Sequence, residues 1–176
     1  MLSTNRMSDS YPLLRLTVAL VLMTLGGSAM YVSVMVLEPV AREFATGRAV
    51  SSLLYATFMI GYGLGGVVMG RLADRVGILV PAAIGSLALP AGLVLAANAG
   101  SIAEFCLALG LLCGFFGASF TFAPLVSDVS HWFTARRGIA VGIVLCGSYV
   151  AGAIWPPVLQ HFFDAQGWRA TLSDLA

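Results

Sequence analysis

The residues with the strongest acid–base, nucleophilic or metal-binding chemistry in this chain are scarce and scattered. Cys106, Cys113 and Cys146 form no C-x-x-C pair and fall in uncharged stretches, where cysteine acts as a small packing residue. His131 and His161 are assigned to opposite sides of a membrane by the topology derived below, so no shared metal site is expected. An integral membrane enzyme would need His, Asp, Glu or Cys gathered at one face, and two lone histidines argue against it. "GYGLGG", residues 61–66, contains the G-x-G-x-x-G of dinucleotide sites. That motif requires a preceding strand and a helix N-terminus, whereas here it lies deep in an apolar run and reads as helix packing. No cofactor and no metal are expected. The one dense charged group is "GRLADRVG", residues 70–77, which sets two arginines and an aspartate between long uncharged stretches.

The reason for that isolation is the solvent. The chain is 59% hydrophobic and 10% charged, with mean hydropathy +0.94, far from the roughly 25% charged residues of a soluble domain. A charge at the bilayer centre costs roughly 2.5–3.5 kcal/mol, so charges are driven to the ends of membrane spans. The charge-free runs predict five transmembrane helices at about 16–37, 49–70, 76–98, 105–127 and 138–163, each near the roughly 20 residues needed to cross. Residues 1–15 form a short polar segment, and residues 164–176 a short outer tail. The first run is longer than the roughly 7–15 residues of a signal-peptide core and is read as a retained helix.

All nine basic residues are arginine. With the N-terminus in the cytoplasm, Arg6, Arg15, Arg71, Arg75, Arg136 and Arg137 lie inside, against Arg42, Arg48 and Arg169 outside, as the positive-inside rule favours. Trp132 and Phe133 fit an inner aromatic belt, and Phe162, Phe163 and Trp168 an outer one. The short connections make consecutive spans antiparallel neighbours. Gly61 with Gly65, Gly66 with Gly70, Gly110 with Gly114 and Gly138 with Gly142 are i, i+4 pairs, predicting smooth strips for close helix packing on the second, fourth and fifth spans.

Physically, the charged loop reads as a capped hairpin. Asp74 is expected at the start of the third helix, accepting hydrogen bonds from its free N–H groups, with Gly70 and Gly77 bounding the turn. Its spacing, G-x-x-x-D-R-x-G between the second and third spans, resembles the signature loop of the major facilitator superfamily through Gly70, Asp74, Arg75 and Gly77. In that family the loop latches helices together while two halves rock. Ile78 and Leu79 follow Gly77, where the family usually carries basic residues. A second stretch, "HWFTARRGIAVGIVLCGSYVAGAIWPPVLQ", is similar to the fifth-helix signature of its monocarboxylate-transporter-like and oxalate/formate-antiporter-like members. The matching positions are Phe133, Arg136, Arg137, Ala140, Gly142 and Gly147, followed by Pro156 and Pro157, and "GWR" comes after it at 167–169. The acidic, aromatic and glycine-rich signature of animal monocarboxylate carriers near the first helix is missing.

The resemblance implies an all-α integral membrane protein with five helices of an incomplete six-helix N-terminal half, in a fold of twelve helices whose C-terminal half is absent here. The polar residues after 163 leave no room for a sixth span. It also implies a secondary transporter working by alternating access on a small organic solute, a monocarboxylate or other organic anion, that is inactive without its other half. A small membrane scaffold or assembly subunit is the alternative. The location implied is the plasma membrane, or the inner membrane of a bacterium. The partners implied are the lipid bilayer, a small-molecule substrate and the missing half, with no nucleic acid. Since the first and fourth helices line the central path in this superfamily, Ser28, Tyr31, Ser33, Ser119 and Thr121, with Tyr149 from the fifth, are candidate substrate contacts; the competing reading for each is an interhelical hydrogen bond. No acidic or basic residue sits in mid-span to relay a proton or hold a carboxylate.

Overall fold

The computed structural model describes residues 6–44, 47–134 and 136–176. Residues 1–5 of the N-terminal segment, and the side chains of Arg6 and Arg48 used in the charge balance, lie outside that description. The described residues form helices and no strand. Helices α1 (Arg6–Gly26), α2 (Ser28–Met35) and α3 (Leu37–Glu43) run end to end as a first rod, interrupted at Gly27 and Val36. The second rod is α4 (Arg48–Val76) and the third α5 (Leu79–Ala97). The fourth changes pitch along its length, from α6 (Ile102–Leu107) through a π-helical stretch (Ala108–Gly117) and a 3-10 turn (Ala118–Thr121) to α7 (Ala123–Trp132). The fifth is α8 (Arg137–Gln166), and a short α9 (Trp168–Asp174) follows. Among the described residues, five rods are long and apolar enough to cross a membrane.

Local chemistry explains the ends. Ser101 accepts a hydrogen bond from the Glu104 N–H at 3.3 Å while the Glu104 carboxylate accepts from the Gly100 N–H at 2.8 Å, so a reciprocal cap starts α6. Gly77 and Gly167 adopt φ +85° and +84°, which only glycine takes without strain, and both turn the chain sharply after a long helix. Asp74 does not cap the third helix as expected. Nothing in residues 70–76 breaks a helix, so α4 continues to Val76, the Gly77 N–H donates to the Ala73 carbonyl at 2.9 Å, and α5 starts without a side-chain cap. Asp74 and Arg75 therefore occupy the last turns of α4, Gly70 lies inside that helix, and the reversal itself is confined to Gly77 and Ile78. Pro156 and Pro157 lie inside an unbroken α8.

Within lipid there is little hydrophobic gain from joining helices, so close backbone approach decides the packing. The fourth rod is the central one: 61% of its most apolar 18 residues are buried, against 22–33% for the other four. Both α4 and α5 lie along its π-helical stretch, and α1 lies along α8. A side chain on Gly61 would strike the Gly110 carbonyl, one on Gly65 the Phe115 backbone, and one on Gly114 would stand 2.8 Å from the Phe58 carbonyl. The strips of the second and fourth rods thus face each other. Gly66, Gly138 and Gly142 face open space, and Gly70 meets only Ala123 at 3.9 Å, so the expected strip on the fifth rod is not formed by that pair. Gly147 makes the close approach instead, 2.9 Å from the Leu20 carbonyl.

Candidate functional site

At one end of the bundle, α1 is tied to α7. Arg15 donates to Asp128 at 2.7 Å and to the Tyr11 hydroxyl at 3.0 Å, and its guanidinium lies 4.6 Å from the Trp132 ring centre and 5.1 Å from that of Tyr11. The pair is only partly exposed, at 30% and 20%. Removing Arg15 and Asp128 singly and together, as Arg15→Ala and Asp128→Asn, is expected to give a coupling energy of about 0.5–1 kcal/mol in unfolding titrations of the micellar protein; independent effects would show that the contact contributes nothing. Beside it opens a cleft of about 600 Å³ lined by Asp74, Gly77, Ser127, Asp128 and His131. Asp74 and Gly77 line it together with residues of α7, so the loop lies next to the end of the fourth rod, and the neighbouring Arg75 is exposed.

The fifth-rod residues divide by depth. Arg136 and Arg137 open α8 and are exposed, and Phe133 packs on a small core of Leu16, Met23, Val129 and Val144, to which Ala140 belongs. Farther along, Trp155, next to Pro156 and Pro157, donates its indole N–H to the Thr24 carbonyl at 2.8 Å, and the Thr24 hydroxyl reaches the Gly147 carbonyl at 3.3 Å. Thr24 thereby holds the fifth rod to the first at Gly147 and again at Trp155.

Midway along the bundle, the interruption of the first rod meets the pitch change of the fourth. A side chain on Gly26 would collide with Thr121, so the two irregular segments touch. They border a hollow of about 50 Å³ whose lining includes Gly26, Gly27, Tyr31, Thr121 and Ser148. Of the expected substrate contacts, Tyr31 and Thr121 are brought together here. The Tyr31 hydroxyl donates to the Ser148 carbonyl at 3.4 Å, bridging α2 and α8. Most of the remaining hydroxyls turn back on their own rods. Ser33 donates to the Met30 carbonyl at 2.7 Å, Thr121 to the Ala118 carbonyl at 2.6 Å, and Ser119 to the Phe115 carbonyl. For Ser33 and Ser119 these bonds stay within one rod, because a short hydroxyl in a helix readily finds the carbonyl one turn earlier; Thr121 also meets the Tyr62 side chain of the second rod, an interhelical contact. Ser28 opens α2 and is half-buried, while Tyr149 is 80% exposed on the flank of α8. Sequence reasoning missed Tyr62, Met59 and Ser148, which also line the hollow. The available signal was the Gly26–Gly27 pair, since glycine-interrupted spans mark binding sites in transporters.

At the opposite end, α9 closes the bundle. Arg169 donates to one Glu43 oxygen at 3.0 and 2.8 Å, to the Ala97 carbonyl at 2.6 Å and to the Ala99 carbonyl at 2.9 Å. Trp168 gives its indole N–H to the other Glu43 oxygen at 2.9 Å and packs edge-on to Phe105. One planar fork thus joins these ends of the first and third rods, with the fourth held through the indole.

Comparison with known proteins agrees with this architecture. The family model described as Major Facilitator Superfamily matches residues 17–173. Monocarboxylate transporter 12 of Homo sapiens is 30% identical over 131 residues, which cover 74% of this chain and 24% of that protein. The MFS-type transporter pytF of Aspergillus terreus is 36% identical over 105 residues, covering 60% and 35%. The riboflavin transporter MCH5 of Saccharomyces cerevisiae is 32% identical over 111 residues, covering 63% and 21%. The aligned part of the chain spans between a fifth and about a third of these relatives' length.

Proposed function

The chain belongs to the Major Facilitator Superfamily, and from that premise we propose that it supplies the first, rocking bundle of a secondary carrier for a small organic solute. The observation that carries the reading is the meeting of two interrupted rods beside an internal hollow, at Gly26 and Thr121. Broken spans expose backbone and side-chain groups at mid-membrane without exposing them to lipid, and they are where carriers hold substrate. The human relative's name specifies monocarboxylates and the yeast relative's riboflavin; for this chain the solute is an organic molecule, with organic anions first among the candidates.

In this reading the Arg15 and Arg169 clusters keep the bundle rigid. Gly70, half-buried, with Asp74, Arg75 and Gly77, exposed near the cleft, act as the latch, and Phe133, Arg136 and Arg137 set the entry of the fifth rod. The cleft end faces the cytoplasm, as the arginine balance favours. The solute path runs past Tyr31 and Thr121. Alternating access needs a second bundle to rock against. A polypeptide of residues 1–176 reconstituted alone into liposomes is therefore expected to take up no more labelled lactate, benzoate or riboflavin than protein-free liposomes do. Saturable uptake would overturn the requirement for a second bundle. The carrier role itself is tested in parent cells lacking the gene: transport of at least one solute in a panel of organic acids should fall. An unchanged panel, with the chain recovered in a defined membrane complex, would favour a scaffold.

A further inference from the structure

The lining of the mid-bundle hollow is selective in its chemistry. Met23, Met30 and Met59 bring three thioethers to it, and Phe58, Tyr31 and Tyr62 bring three aromatic rings. Phe58 and Tyr62 lie nearly parallel, 11° apart with ring centres 6.2 Å from each other. No aspartate, glutamate, lysine, arginine or histidine lines the hollow among the described residues. The Thr121 hydroxyl donates to the Ala118 carbonyl and its side chain also meets that of Tyr62, while the Tyr31 hydroxyl donates to the Ser148 carbonyl.

A carboxylate delivered here would lose its hydration and meet no counter-charge. Thioethers and aromatic edges, by contrast, attract a flat polarisable ring through contacts that a saturated group of the same size makes less well. About 50 Å³ admits the edge of such a ring, while Met30, Met59 and Tyr62 reach the partly open rim. We propose, resting on the carrier reading, that this bundle grips an uncharged aromatic or conjugated ring of the solute, and that any charged group of the solute points away from it. The carried solute is thus ring-bearing, and a small aliphatic acid such as lactate is not held by this bundle.

The test uses the 176-residue chain in phosphatidylcholine nanodiscs with 13C-methyl-labelled methionine. Benzyl alcohol, cyclohexylmethanol and sodium lactate are titrated while the methyl signals are followed by NMR. Benzyl alcohol should shift the Met30 and Met59 methyls saturably and leave Met69, which lies elsewhere on α4, in place. Cyclohexylmethanol should bind about fivefold more weakly, and Tyr62→Leu should weaken benzyl alcohol by a similar factor, as expected for lost ring contacts. Lactate should produce no shift. Saturable lactate shifts, equal binding of the two alcohols, or a linear drift of all methionine methyls from partition into lipid would each overturn the proposal. Because this readout involves no transport, it fails independently of the uptake panel: ring binding without any uptake defect would remove the carrier role, whereas an uptake defect without ring binding would remove only the ring preference.

Discussion

Gly61→Ala and Gly65→Ala are expected to destabilise the bundle by about 3 kcal/mol each, the upper end of ordinary overpacking costs. The obstacle at both positions is backbone: a new Cβ would strike the Gly110 carbonyl or the Phe115 main chain, neither of which can rotate away as a side-chain tip could. The fourth rod would have to withdraw from α4 along the contact that centres the bundle, and the interrupted segment at Thr121 would move with it. Gly63 and Gly66 belong to the same six-residue stretch, but an added methyl group at either would have nothing within 4 Å. Gly63→Ala and Gly66→Ala should therefore be neutral, or stabilising by up to about 1 kcal/mol from helix propensity. Circular dichroism followed through an SDS titration in mixed micelles reads all four. Equal losses at the four positions would show that general glycine flexibility matters there and that the opposed strips do not.

Arg169→Ala is expected to cost about 2 kcal/mol. The change leaves the carbonyls of Ala97 and Ala99 and an oxygen of Glu43 without their donor, and hydrogen bonds from a charged group contribute roughly 1.5–3 kcal/mol. The lower half of that range applies because Arg169 and Glu43 are 36% and 42% exposed, so water compensates in part. Arg169→Lys should recover less than half of the loss, since a single ammonium cannot reach acceptors on separate elements as a planar fork does. The same SDS titration measures the loss, and hydrogen exchange of residues 97–105 should rise in Arg169→Ala while the end near Arg15 stays protected. Full rescue by lysine would reduce the cluster to a simple ion pair.

Most of the secondary structure was legible from where charges are absent. Insertion energetics alone separate the five spans, because a misplaced arginine costs more than any local propensity supplies. The resemblances at 70–77 and 131–160 were carried by residue spacing, and the family match bears out the superfamily they pointed to. Helix ends were less legible. Asp74 looked like a cap because charges usually mark the end of a span, yet an uninterrupted run of helix-compatible residues carried α4 two positions past it, and Gly77 stopped it.

The sequence by itself determined that this chain lies in lipid as five apolar rods, and it marked the loop and fifth-span positions through which family resemblance is recognised. It did not determine which faces meet. In water, an inward face is apolar and an outward face polar, so periodicity reports orientation. In a bilayer both faces are apolar, and Gly61 with Gly65 looks the same as Gly138 with Gly142. Only the tertiary structure decided that the first pair touches a neighbouring backbone and the second faces open space, that Tyr31 and Thr121 share a hollow with Tyr62, and that Arg169 reaches Glu43 across the bundle end. Each of these depends on how rods rotate about their own axes, a choice made by close contact between backbones that lie far apart along the chain.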